Sequence, residues 1–317
     1  MDYLSLRQSI LNTIIYFDIF DYPLTAMELF QWLFGDYQLQ ATSYKLGDVL
    51  DALESSQYLK DRVSQKNGFY FLKWREAIVQ TRLKRYNLAQ RKYKRLLWIS
   101  KILSYFPFVQ MIAVCNTLAY NNTREESDID LFIIAKESRV WLVRFLTVSF
   151  LTLLRLRPKP YNLKDKICLS FFVDEKNLDL KKFAMQNDIY LPFWIAQLVS
   201  VYQRENTYEK FLSQNKWVKE NIQNASKYNL NPARLVRNGL FKEIIKRVFE
   251  FINDQLLFNL PSILAKKYQN NIMPDHLRAM ANKDTRVVIN DSVLKFHDND
   301  SREKYWNLFK QKAEILQ

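Results

Sequence analysis

Apolar positions recur at helical spacing from the start of the chain. Leu6, Ile10, Leu11, Ile14 and Phe17 share one face of a helix over residues 4–17. Tyr22-Pro23-Leu24 ends that helix. Thr25, with Glu28 three residues on, forms a capping box that opens a second helix carrying Leu29, Trp32 and Leu33. A third helix, about residues 43–56, presents Leu46, Val49, Leu50 and Leu53. Two short runs, 58–63 and 69–72, then flank Lys66-Asn67-Gly68, a strong hairpin signal. Three helices and a hairpin predict a winged helix-turn-helix over residues 1–74.

Further on, Val79, Leu83, Tyr86, Tyr93 and Leu97 form a stripe on one long helix between 73 and 101. Short apolar runs at 111–114, 129–135 and 167–173 read as buried strands. Between the last two lies an apolar helix, 138–156, ended by Arg157-Pro158-Lys159-Pro160. From 183 onward the pattern is mainly helical, with helices at 186–203, 208–224, 232–258 and 303–316 and short strands at 287–289 and 293–296. The fold class is therefore α+β: a winged helix-turn-helix (1–74), a small mixed-sheet α/β core with its leading helix (75–182), and a helical C-terminal region (183–317).

Hydrophobic residues make up 48% of the chain, enough to exclude global disorder. A net charge of +14 favours polyanionic partners. The third helix goes against sequence-specific DNA reading, because Asp48, Asp51 and Glu54 lie where a major groove wants basic or amide side chains. The positive charge falls instead on Arg82, Lys84, Arg85, Arg91, Lys92, Lys94 and Arg95. This Arg82–Arg95 helix is a track for RNA or another polyanion, or else a solvated face. Arg234, Arg237, Lys242, Lys246 and Arg247 make a second basic face. Cys115 and Cys168 give no disulfide framework, which fits a reducing, cytoplasmic setting. Val140 to Leu154, interrupted by Arg144, is too short to span a membrane.

The chemistry gathers between Gln110 and Lys136. A small polar turn, Cys115-Asn116-Thr117, follows the first strand, and Asp128 and Asp130 stand at the mouth of the second. Residues two apart on a strand point to one face, so these carboxylates project together with Ile129 and Leu131 turned away. Two such charges persist side by side if a hard cation neutralises them or one holds a proton. Mg²⁺ suits the pair because it takes a couple of carboxylates and completes its shell with water and phosphate oxygens.

This segment resembles the DNA polymerase β-like nucleotidyltransferase superfamily. There a Gly-Ser turn closes one strand and an Asp-hydrophobic-Asp-hydrophobic stretch opens the next. Here Asn116-Thr117 occupies the Gly-Ser position and Asp128-Ile129-Asp130-Leu131 the metal-binding pair. The resemblance implies that the core is a minimal nucleotidyltransferase domain. Asp128 and Asp130 would hold Mg²⁺ or Mn²⁺, and Asn116, Thr117 and Ser127 would contact a nucleoside triphosphate. Nucleoside monophosphate would pass to a hydroxyl acceptor. Relatives commonly carry a third carboxylate on a neighbouring strand. The strand at 167–173 offers Ser170 at its middle, so Asp174, of the same parity, is the candidate third catalytic acid, with Glu175 and Asp179 behind it. Asn116 in place of glycine leaves a second reading, a degenerate fold serving as a nucleic-acid-binding or regulatory adaptor.

Overall fold

The computed structural model describes residues 3–35, 44–225 and 232–316. Its N-terminal part runs α1 (Tyr3–Asp18), β1 (Leu24–Thr25), α2 (Ala26–Gln31), α3 (Leu46–Ser55), α4 (Gln57–Lys60), β2 (Val63–Lys66) and β3 (Phe69–Leu72). The capping box forms as the sequence requires: Thr25 N–H donates to Glu28 Oε2 at 2.9 Å, and Glu28 N–H to Thr25 Oγ1 at 3.3 Å. Asn67 and Gly68 both take positive φ, 55° and 80°, the backbone of a tight two-residue hairpin. The run expected as a strand from Tyr58 instead begins as α4. Ser56 Oγ accepts Leu59 N–H there and caps the helical turn, delaying the strand to Val63. A short strand inside the Tyr22–Thr25 breaker, β1, adds a third member to this sheet, in the order β1-β3-β2.

The 27-residue helix α5 (Ala77–Leu103) leads into the main sheet. There follow β4 (Val109–Val114), α6 (Asn116–Ala119), β5 (Ile129–Ala135), α7 (Val140–Leu153), β6 (Ile167–Asp174), α8 (Tyr190–Gln197), β7 (Val199–Gln203) and α9 (Thr207–Gln214). The chain closes with α10 (Leu240–Phe251), α11 (Leu260–Asn271), α12 (Asp275–Met280), β8 (Val287–Ile289), β9 (Val293–Phe296) and α13 (Arg302–Leu316). Six strands pair in the order β7-β4-β5-β6-β9-β8; β5 and β6 are parallel and the other neighbours antiparallel.

Three expectations change. The boundary at 183 does not separate the sheet from the helical region, since β7, β8 and β9 all lie beyond it and complete the sheet on both sides. The helix expected over 186–203 is α8 followed by β7. Asp188 Oδ1 accepts the N–H groups of Tyr190 and Leu191 and fixes the helix start, and the β-branched Val199 and Val201 pass into a strand beside β4. The helix expected over 232–258 starts late: after a turn at Pro232–Arg234 it runs as α10 and a π-helical turn, Ile252–Leu256.

Alternation along the strands sends side chains to two cores. Met111, Phe132, Ile134 and Phe171 face α1, α8 and α13 on one side. Ile112, Leu131, Ile133 and Phe172 face α5 and α7 on the other. The first side carries the carboxylate site. α13 closes it and also reaches α1, where Lys312 Nζ meets Asp18 at 2.8 Å.

Candidate metal and nucleotide site

The turn after β4 sets the geometry. Asn116 sits at φ 56°, the left-handed region that Asn tolerates best among residues with a Cβ. Its Oδ1 accepts from Trp194 Nε1 at 2.9 Å and from Tyr190 Oη at 3.0 Å. An indole N–H only donates, so the carbonyl end of the amide must face α8. The amide nitrogen is left to bond the Asp130 carboxylate. Asn116 therefore combines a left-handed backbone with a side chain that lines the cavity.

The loop before β5 is tied down from behind. Ser127 Oγ donates to Arg124 O at 2.8 Å, accepts from Arg124 N–H at 3.2 Å and lies 2.9 Å from Thr123 Oγ1. Lys92, buried on α5, donates to the carbonyls of Ser127 and Glu125 and pairs with Asp165 at 3.4 Å. Burial draws its pKa down, while the charges of Asp165 and Asp128 oppose that. Ser127 is thus a turn residue whose hydroxyl is engaged by Thr123 and Arg124, and it does not line the cavity that Asn116 faces. Thr117, on the first turn of α6, does not line it either.

Asp128 and Asp130 do converge. Their carboxylate oxygens and Cys168 Sγ, on the adjacent parallel strand, all lie within 4.8 Å of one another. Burial raises the Asp128 pKa. Burial and then the Asp128 charge push Asp130 up to about 7, against the hydrogen bonds from Asn116 and Cys168. The Cys168 thiol is pushed to about 12 by burial and by both carboxylates, so it keeps its proton.

These groups open on a cavity of about 610 Å³. Tyr190, Trp194 and Tyr305 line one wall, and Lys295, His297 and Arg302 belong to another. Ser170 Oγ lies 3.0 Å from His297 Nε2, and burial holds this imidazole down at about 3, hence neutral. Burial also pushes Lys295 down to about 8; its ammonium donates to Thr285 O at 2.6 Å. Arg302 pairs with Asp188 and Asp300, each at 2.8 Å. Sequence reading missed this wall because nothing local connects residues 295–305 to Asp128. The strand at 293–296 and the helix at 303–316 were visible, but not their meeting with Asp128.

Asp174 does not line this cavity. The register sets Cys168 beside Asp130 and Asp174 beside Ala135, so Asp174 is six residues farther along β6. It is buried, and its Oδ1 accepts Lys176 N–H and Asn177 Nδ2, closing a turn. The parity expected from Ser170 does not carry through: the register shift between Cys168 and Phe171 breaks the alternation, so Asp174 falls on the face of Phe172 and also lies farther along the strand. Glu175 and Asp179 follow it in sequence and are likewise absent from the cavity.

The basic helix is largely occupied internally. Arg82 makes a two-pronged pair with Glu28 at 2.7 and 2.8 Å and lies over the rings of Tyr22 and Phe69. Arg85 binds Asp21 and Phe20 O, Arg91 binds Glu125, and Lys92 is buried. Lys84 and Lys94 are exposed. The second basic face also divides. Lys242 and Lys246 turn inward, and Arg234 lies 3.8 Å over the Tyr93 ring while bonding Gln90 and Asn121.

Among the described residues, no helix is long and apolar enough to cross a membrane. Comparison of the chain with protein-family models, curated proteins and solved structures gives no match.

Proposed function

We propose that the chain is a metal-dependent nucleotidyltransferase that uses a nucleoside triphosphate and a hydroxyl acceptor. The observation that carries this reading is the convergence of Asp128 and Asp130 at the mouth of the 610 Å³ cavity. The donor set fits Mg²⁺ or Mn²⁺: two hard carboxylates repel each other until a cation joins them, and they leave room for phosphate oxygens. Cys168, held as a neutral thiol, is a poor ligand for a hard cation, so the carboxylates alone would hold it. Once bound, such an ion supplies charge stabilisation at a transferring phosphoryl group.

The chain's own residues supply the rest. Asn116 holds Asp130 in place through its amide nitrogen, and Lys92 fixes the loop that carries Asp128. Tyr190, Trp194 and Tyr305 offer ring surface to a base. Lys295 and Arg302 bring two cations to the lining, held there by Asp188 and Asp300. The N-terminal order of helix, short strand, three helices and hairpin is compatible with a winged helix, and the exposed Asp51 and Glu54 of α3 favour a protein or substrate contact over DNA. The exposed Lys84 and Lys94 are what is left of a polyanion track.

A second reading rests on Cys168. It sits beside Asp130 on the neighbouring strand, where relatives carry a third carboxylate, and a thiol held near 12 cannot take a proton from an acceptor. On that reading the chain binds metal and nucleotide without turnover. Manganese binding followed by electron paramagnetic resonance, with transfer of label from α-labelled nucleoside triphosphates, separates the cases. The enzyme reading expects both signals, and both lost in Asp128→Asn/Asp130→Asn. Binding without transfer selects the adaptor, and transfer that survives the double substitution overturns the site.

A further inference from the structure

Helix α10 is built inside out. Its polar side chains face the protein: Lys246 donates to Val109 O at 2.8 Å and Tyr202 Oη at 2.9 Å, and Glu250 accepts from Phe108 N–H and Arg204, each at 2.8 Å. Its apolar side chains, Phe241, Ile244, Val248 and Phe251, repeat at three- and four-residue spacing on the outside, with Phe241 73% exposed. Phe258, 79% exposed, continues the face between the helices, and α11 extends it through Ile263 and Tyr268 while Ala265 anchors it to the core beneath. The exposed apolar area is on the order of a thousand Å², where a monomer's largest patch usually covers a few hundred.

Charge distinguishes the occupants. Every acid on α10 and on the turn after it is turned inward onto a cation: Glu243 and Glu250 onto Arg204, and Asp254 onto Lys136 and Arg139. Besides Lys266, which pairs with Asp291 at 2.6 Å, the charged residues of α10 and α11 left exposed are Arg247 and Lys267. A second copy packed face to face would set those cations against their own counterparts. An anionic lipid surface answers both features, taking the apolar side chains below its headgroups and the cations among them.

We propose that the outer face of α10 and α11 seats the chain on an anionic lipid bilayer. This is independent of the carboxylate site, which lies on the opposite side of the sheet from α11. The test is co-sedimentation of the full chain with vesicles of phosphatidylcholine alone or mixed with phosphatidylglycerol. Binding is expected to the mixed vesicles and to weaken with salt. Arg247→Glu/Lys267→Glu should lower the partition coefficient at least tenfold, at about fivefold or more per cation. Phe241→Ser/Phe258→Ser, on two exposed side chains, should abolish binding while circular dichroism and melting temperature stay unchanged. The proposal is overturned if the chain stays in the supernatant, if the Phe double variant still binds, or if sedimentation equilibrium shows a dimer that this variant dissociates.

Discussion

Trp194 donates its indole N–H to Asn116 Oδ1 at 2.9 Å, and that bond decides which end of the amide meets Asp130. A side chain of α8 thereby orients a carboxylate on β5 through Asn116, the first residue of α6. Replacing Asn116 by Ala leaves the indole and the Tyr190 hydroxyl without their acceptor and puts a less tolerant residue at φ 56°. The expected loss is about 2–4 kcal/mol in urea unfolding, with weaker Mn²⁺ binding. Asn116→Gly keeps the backbone but loses the acceptor, so it should recover only the strain, about 1 kcal/mol. Equal stability of the wild type and both variants would remove Asn116 from the account.

Lys92 and its exposed neighbours should separate cleanly. Lys92→Met strips the Ser127 and Glu125 carbonyls of their donor and leaves Asp165 short of a partner. The expected cost is about 2–3 kcal/mol, with Mn²⁺ affinity lowered as the loop bearing Asp128 loosens. Lys94→Ala, on the exposed face, should change stability by less than about 0.5 kcal/mol. Equal effects would show that Lys92 does not brace the site.

Lys246 makes stability depend on pH in an unusual direction. Burial, reinforced by Arg204, pushes its pKa down to about 7, while Glu250 and Glu243 resist. An unfolded lysine titrates near ~10.4. Between those values the unfolded chain binds more protons than the folded one, so this group's contribution to stability rises with pH from about 7 to about 10. Below about 7 both states carry the proton and the contribution is flat. Lys246→Met should lack this rise when urea unfolding is compared at pH 6.5, 8 and 9.5. Parallel pH profiles for the two proteins would contradict it.

Asp174 supplies the control. Asp174→Ala frees Lys176 N–H and the Asn177 amide, at about 1–2 kcal/mol of stability. Mn²⁺ binding should hold at the wild-type value, because the residue stands beside Ala135 and away from the cavity. A drop in affinity as large as that of Asp130→Asn would restore it to the site.

The sequence was most readable where local chemistry acts alone. The Thr25–Glu28 box, the Asn67-Gly68 hairpin and the apolar run of β5 each carry their own instructions, and each lies where the pattern put it. Reading failed where partners are distant. Val199 to Gln203 continues an apolar run begun in α8, and only pairing with β4 makes it a strand. The charges of α5 gave no sign that Glu28, Asp21 and Glu125 would meet them. At the site, Asp128 and Asp130 were legible because alternation brings them together. Cys168 was visible as a strand residue, but its place beside Asp130 depends on a register that only the folded sheet fixes. His297 and Arg302 reach the cavity through β9 and α13, at sequence separations no pattern spans.

That last wall has a consequence for how the chain matures. β9 pairs with β6 in mid-sheet, and α13 carries Arg302 and Tyr305 to the cavity while its other end grips α1 through Lys312 and Asp18. During synthesis, Asp128 and Asp130 leave the ribosome more than 150 residues before the segments that roof them. A chain cut short before Val293 keeps both carboxylates yet has no enclosed chamber, so the pocket can form only after residues 293–312 have emerged.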